Sequence, residues 1–280
     1  MPLPLKEALQ VEKVVAHVSL NRFIREPKHR FGAIGMYVAS VMGPERAHGG
    51  RVGYNLVRLI DDMLDGDTAT PDNQSPREFV VDIRRQIETG NFSLDSNLSL
   101  LAKYDLDFLD ARKHPGDNVR RLLMNAIDPL IYDYDRAHAP ARKLMTTSEL
   151  EAYYRSSFSP IADIMLITLD SDLRSSDIDD FVMSQPRAFT VRDFHLDVRR
   201  GLINVPSEVL TTAELTEHAT ADVMWQDPFV RVWMINELEL ARDGALRMMN
   251  KISHSHEPRI TKSFIKNPMK TVLKISEQYL

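Results

Sequence analysis

The sequence predicts an all-α protein, and three observations predict it. Apolar residues recur at helical spacing in most windows, alternating β-branched runs bounded by turns are scarce, and proline and glycine fall where they leave helix-length stretches between them. Taken in order, the breaks lie at Arg25 to Pro27, Gly43-Pro44, the polar stretch Gly66 to Pro76, Pro115-Gly116, Ala139-Pro140, the acidic segment Asp170 to Asp180, Pro206 and Pro258. Proline lacks the donor a helix interior needs and pushes its predecessor toward extended backbone, while glycine accepts turn conformations that other residues avoid. Roughly eight helical segments result. No internal repeat and no low-complexity tract interrupts them, so 1–280 reads as a single domain.

A hydrophobic fraction of 43% and a charged fraction of 27% are those of an ordinary globular chain. The net charge of −5 offers no basic footprint for a nucleic-acid backbone. There is no cysteine, which excludes disulfides, thiolate catalysis and cysteine-held metals, so any metal must be bound by oxygen or imidazole. Met1 to Val15 lacks a basic start followed by a long apolar block, and no stretch approaches ~18 uninterrupted apolar residues. The expected location is the cytoplasm.

The chemistry concentrates in Tyr54-Asn55-Leu56-Val57-Arg58-Leu59-Ile60-Asp61-Asp62-Met63-Leu64-Asp65. At about 100° per residue, Tyr54, Arg58, Asp61 and Asp65 share one stripe of a helix, with Val57, Ile60 and Leu64 beside it. Carboxylates in a partly apolar setting are costly unless paired or bound to metal, and magnesium is the natural partner: it prefers hard oxygens, takes one or two carboxylates, and fills its shell with water and phosphate. Asp62 and Asp67 read as ordinary acids of a solvated helix end. The same four-residue spacing returns in Asp193-Phe194-His195-Leu196-Asp197-Val198-Arg199-Arg200-Gly201, with Arg200 on the face of Asp193 and Asp197. Two such faces, opposed, would hold a magnesium cluster of about two or three ions, and Arg58, Arg199 and Arg200 would neutralise a departing diphosphate. Ionisation of an allylic diphosphate calls for that arrangement, together with a dry aliphatic and aromatic cavity for the carbocation.

These residues resemble the squalene and phytoene synthase family. That family carries Tyr-x3-Arg-x2-Asp-x3-Asp, matched by Tyr54, Arg58, Asp61 and Asp65. It carries a second Asp-x3-Asp followed by Arg-Gly and Pro, matched by Asp193, Asp197, Arg200-Gly201 and Pro206. Leu150 to Ala162, including Tyr153, Ser157 and Phe158, is similar to the family's central helix, where a tyrosine precedes small pocket-lining residues. The resemblance implies a single-domain bundle of the class I isoprenoid synthase type around a central cavity. It also implies magnesium held by Asp61, Asp65, Asp193 and Asp197, and prenyl diphosphate substrates. The sequence departs from the family at three places. Lys28-His29-Arg30-Phe31 stands where a hydroxyl-bearing Ser-x-Ser-Phe segment usually helps hold a diphosphate. Phe189 replaces an asparagine that assists metal or diphosphate binding. Asp163 stands where glycine or arginine is expected, either approaching the cavity or facing out.

Tyr54 and Tyr153 read equally well as core tyrosines with one satisfied hydroxyl and as substrate contacts. Gly66 to Pro76 is either an ordinary loop or a flap closing over diphosphate. His254 and His256 read as solvated, as does the connection Asp170 to Asp180. Two reactions fit. In one, the prenyl cation passes to a small aromatic, carbazole-like acceptor, as in squalene-synthase-like enzymes of natural-product pathways, with the acceptor stacked against Phe189 or Phe158 and touching Asp163. In the other, two prenyl diphosphates condense head to head. The altered second-substrate features favour the first, and a lipophilic substrate or product would bring the protein to a membrane periphery.

Overall fold

Helices supply all the regular structure among the described residues, and no strand occurs there, as the periodicity predicts. The computed structural model describes residues 5–21, 44–71 and 74–280; the Lys28 to Phe31 segment and the break at Arg25 to Pro27 lie outside the described residues. Twelve α-helices and one 3-10 turn are present among those residues, against the roughly eight segments read from sequence. Three of the additional helices, 194–199, 207–212 and 221–226, are six residues each, too short to display a hydrophobic period. The chain sorts into two compact units, Met1–Ile131 with Asp163–Asp172, and Tyr132–Ala162 with Leu173–Leu280.

The first unit contains α1 (Leu5–Asn21), α2 (Pro44–Leu64), α3 (Pro76–Thr89), α4 (Asn97–Asp110) and the larger part of α5 (Val119–Ala137). Helix α3 shows how sequence sets an element here. Pro76 opens it, Phe79, Val80, Ile83 and Ile87 form its buried stripe, and Gly90 closes it at φ 78° with its N–H returned to the Gln86 carbonyl. Helix α4 begins where the Ser96 hydroxyl accepts from the Ser99 N–H. It packs against α2 at Gly49, where an added Cβ would lie 2.2 Å from the tip of the Phe108 ring. Glycine is required there by space, since the ring occupies the volume any side chain would need.

The second unit contains the remainder of α5, the start of α6 (Thr147–Thr168), the 3-10 turn Ser175–Ile178, and α7 (Asp179–Arg192), α8 (Phe194–Arg199), α9 (Ser207–Thr212), α10 (Ala221–Gln226), α11 (Pro228–His254) and α12 (Arg259–Tyr279). Helix α7 is buried on nearly every side, from Phe181 to Val191, because α11 and α12 both pack on it. Its one buried cation, Arg187, donates to Glu237 of α11 at 2.5 Å and to Glu151 of α6 at 2.6 Å, which makes burial of the charge tolerable. Helix α11 starts at Asp227, whose Oδ1 accepts from the Phe229 and Val230 N–H groups ahead of Pro228 in the first turn.

The acidic segment Asp170 to Asp180 is an exposed connection, as its composition suggests, with Asp170, Asp172, Asp177 and Asp179 all exposed, yet most of its acids are held by specific partners. Within the first unit, Asp170 takes the left-handed conformation after α6, φ 51°, and pairs with Arg46 and Arg112. Within the second, Asp177 accepts from the Arg174 N–H at 2.8 Å, Asp179 pairs with Arg155, and Asp180 pairs with Arg247 at 2.7 Å. The acids are positioned by helix starts and by cations distant in sequence, which a local reading of charge does not contain.

Candidate functional site

In the first unit the stripe on α2 forms as its spacing predicts, with one correction. Arg58 Nη1 donates to Asp61 Oδ2 at 2.5 Å, and Arg58 Nη2 lies 3.1 Å from Asp62 Oδ1. Asp62 is only 1% exposed; it is a buried acid balanced by Arg58, not a residue of a solvated helix end. The side chain is carried inward because it shares its face of α2 with Asn55, seven positions earlier and itself fully buried. Asp61 is half-buried, and Asp65, one turn on, is exposed. Burial raises the Tyr54 phenol above its ordinary value, the Arg58 guanidinium lowers it, and the Asp62 and Asp61 carboxylates raise it further. Tyr54 and Arg58 therefore belong to one electrostatic group with the acids.

In the second unit the acid pair sits at a joint. Helix α7 ends at Arg192 and α8 begins at Phe194, with Asp193 between them at φ −93°, ψ 3°. The sequence places Asp193 and Asp197 on one helical segment; the structure keeps their spacing while bending the chain. The Asp193 N–H reaches the Phe189 carbonyl at 2.8 Å and the Asp197 N–H reaches the Asp193 carbonyl at 3.0 Å. Arg192 grips the Asp193 carboxylate through Nε at 2.8 Å and Nη2 at 2.5 Å. Asp197 is pushed up to about 7, chiefly by burial and then by the Asp193 and Asp133 carboxylates, against a smaller opposing pull from Arg200 and Asn204. Arg199 and Arg200 are exposed.

Three residues that sequence reasoning missed complete this region: Asp133, Arg136 and Asn204. The Tyr153 hydroxyl donates to Asp133 Oδ2 at 2.5 Å. Arg136, only 3% exposed, donates from Nη1 to Asp133 Oδ1 at 3.3 Å and to Asn204 Oδ1 at 3.1 Å, and from Nη2 to the Ile203 carbonyl at 2.8 Å. Asn204 Nδ2 donates to Asp197 Oδ2 at 3.3 Å. A continuous polar chain thus runs from Tyr153 on α6, through α5, to Asp197 on α8. Gly201 makes it possible: at φ 87° it turns the chain after α8, and a Cβ there would meet the Ala137 carbonyl at 3.3 Å. The glycine after Arg200 was visible in the sequence; its contact with the end of α5 was not. Burial raises the Tyr153 phenol well above its ordinary value, and the Asp133 carboxylate adds to the effect.

Phe158 and Phe189 lie together in the second unit, with ring centroids 6.2 Å apart and planes at 51°, and Arg192 covers Phe189 at 4.3 Å. The Ser157 hydroxyl donates to the Tyr153 carbonyl at 2.9 Å, bonding back along its own helix. Asp163, further along α6, is half-buried and belongs to the first unit. That unit also holds an open groove of about 910 Å³ floored by Leu59, Met63, Phe79 and Leu98. Ala69, Thr70, Pro71 and Gln74 form part of its wall, so the Gly66 to Pro76 stretch lines a groove that contains none of the predicted site residues.

The donors suit a hard cation. Asp61, Asp65, Asp193 and Asp197 offer carboxylate oxygens, and a divalent ion at Asp197 would oppose the burial and the neighbouring carboxylates that raise it. Among the described residues no group of three His, Asp or Glu side chains gathers as a ready-made cage. Magnesium commonly takes one or two carboxylates and completes its shell with water and phosphate oxygens. No helix among the described residues is long and apolar enough to cross a membrane. No protein-family model matches the chain, and no curated protein matches it.

Proposed function

We propose that the chain is a magnesium-dependent prenyltransferase, of the squalene and phytoene synthase type, that transfers an allylic prenyl group to a small aromatic acceptor and releases pyrophosphate. The observation that carries this reading is Asp197: a carboxyl held by Asn204 and raised to about 7, chiefly by burial and further by the Asp193 and Asp133 carboxylates, which a bound cation would return to the charged form. Asp61 and Asp65 in the first unit, and Asp193 and Asp197 in the second, are the carboxylates that would hold magnesium, which would supply neutralisation of the diphosphate as its charge grows. Arg58, Arg199 and Arg200 take phosphate oxygens by charge-assisted hydrogen bonds as the carbon–oxygen bond breaks and its electron pair leaves on the diphosphate. The allylic cation then forms a carbon–carbon bond with the ring of the acceptor, which loses a proton to regain aromaticity. The partly exposed Phe158–Phe189 pair supports an aromatic acceptor, because offset or tilted rings attract a further flat ring.

The test supplies magnesium with dimethylallyl, geranyl, farnesyl or geranylgeranyl diphosphate, each alone and with carbazole, and measures pyrophosphate and organic products. Prenylated carbazole is the expected product. A dimeric hydrocarbon from one long-chain diphosphate would replace this reading with head-to-head condensation. Asp61→Asn and Asp193→Asn should each lower turnover by about a hundredfold or more while leaving the helical circular dichroism intact. Near-normal turnover in either variant removes the acids from the chemistry.

A further inference from the structure

Helix α12 separates charge from apolar surface more sharply than the chain's net charge of −5 suggests. Thr261, Ile265, Met269, Val272, Ile275 and Ser276 are buried, and the Ser276 hydroxyl donates to the Leu238 carbonyl of α11 at 3.3 Å. That face fixes the helix in the second unit. Lys262, Lys266, Lys270 and Lys274 follow one another at four-residue steps, each advancing about 6 Å along the axis and turning about 40°, so the row winds from the flank of the buried face at Lys262 to the side opposite it at Lys270 and Lys274. Arg259 opens the same row, and Glu277 is the one acid in the helix. Arg259, Lys270 and Lys274 are exposed, and Lys262 and Lys266 lay part of their stems on the unit. Lys262 donates to the Ser255 carbonyl at 2.7 Å. Among the described residues, Lys266, Lys270 and Lys274 have no carboxylate within ion-pair distance.

We propose that this face of α12 docks the protein on an anionic phospholipid bilayer. Four to eight lysines and arginines along a helix attract the negative surface of such a bilayer, each adding to the binding. The four ammonium groups spread over about 18 Å of the axis while winding about 120° around it, so Lys266, Lys270 and Lys274, within about 80° of one another, are the part that can meet a flat field of headgroups. Leu280, 50% exposed, follows directly after the helix and gives an aliphatic group to enter the interfacial layer. Single-stranded nucleic acid is the poorer fit, since it asks for aromatic platforms among the cations. The rings of α12 are occupied elsewhere: Phe264 packs on Phe181 with centroids at 5.5 Å, and Tyr279 meets Trp225 at 6.1 Å.

The inference is independent of the transfer reaction and is tested without it. The full chain is mixed with vesicles of phosphatidylcholine alone, and with vesicles of phosphatidylcholine and phosphatidylserine, and co-sedimentation is measured at low and high salt. Binding to the anionic vesicles only, lost at high salt, is expected. Lys266→Glu combined with Lys270→Glu and Lys274→Glu should weaken it by at least about a hundredfold. The corresponding glutamine triple variant, which removes charge without adding repulsion, should weaken it less and serves as the readout if the glutamate variant melts early. Absence of binding to anionic vesicles overturns the proposal. So does equal binding by wild type and a folded triple variant, and so does binding to a single-stranded oligonucleotide with none to vesicles.

Discussion

A carboxylate sealed from water with nothing to balance it must hold its proton or destabilise the fold, and Asp105 is such a group. It is 1% exposed, its two oxygens have no hydrogen-bond partner among the described residues, and both lie 3.1 Å from where a Cβ on Gly53 would stand. Burial raises it from 3.8 to about 7. The folded chain therefore binds this proton more tightly than the unfolded chain does. The associated stability is complete below about pH 4, falls as pH rises toward 7, and is gone above it. Asp105→Asn should remove that slope: denaturant melts of the variant should change little between pH 5 and pH 8 at this site, while wild type loses a few kcal/mol over the same interval. An identical slope in both proteins would show that Asp105 is not the titrating group. Arg136 is the opposite case, a buried cation whose Nη1 and Nη2 both donate to acceptors. Arg136→Met would remove the Arg136 donor from Asp133 Oδ1, the Asn204 amide oxygen and the Ile203 carbonyl, and should cost roughly 3–5 kcal/mol in chemical denaturation. A loss under about 1 kcal/mol would mean that the polar chain from Tyr153 to Asp197 does not depend on it.

At the scale of the helix, α2 and α4 approach closely because Gly49 leaves room for Phe108, whose ring also takes the Arg112 guanidinium at 4.2 Å and the Tyr104 ring at 6.3 Å. Gly49→Ala should cost about 1–3 kcal/mol by overpacking, and adding Phe108→Leu should recover part of it. Thermal melts of the two variants read the coupling, and purely additive losses would deny the contact. Nothing in the sequence marks Gly49 as the glycine that must stay, because the partner ring arrives from a different helix. The same distinction separates what was legible elsewhere. The stripe of Tyr54, Arg58, Asp61 and Asp65 depends on periodicity within one helix and could be read directly. Asp62 was misread because its cost of burial is offset by Arg58, an arrangement that only the orientation of α2 in its unit decides. Asp133, Arg136 and Asn204 stayed hidden because each is ordinary in its own neighbourhood and acquires a role at a distance, Arg136 and Asn204 through hydrogen bonds across 67 or 68 positions and Asp133 through one across 20. The α7–α8 joint at Asp193 was hidden too, since the residues around it have no proline or glycine to announce a bend.

For the molecule as a whole, charge is distributed by function more than by total. The chain carries 40 acids and 35 lysines and arginines, yet α12 is a row of cations, while Asp61, Asp65, Asp193 and Asp197 are drawn into two acid faces. If those faces hold magnesium only when a diphosphate completes its shell, the folded chain should gain stability from the two together far more than from either alone. A ligand that binds only the folded state raises stability by RT ln(1 + [L]/Kd), about 3 kcal/mol at a hundredfold excess over Kd. For a chain of this size that is a rise in melting temperature of several degrees, on the order of 5 °C. The measurement is a set of four thermal melts, with buffer, magnesium, pyrophosphate, and both, repeated for Asp197→Asn. Wild type should respond to the combination and the variant should not. A shift with magnesium alone that survives in Asp197→Asn would place the ion elsewhere on the acidic surface. No shift with magnesium and pyrophosphate together would leave the acid faces as structural features, and the proposed transfer chemistry without its leaving-group site.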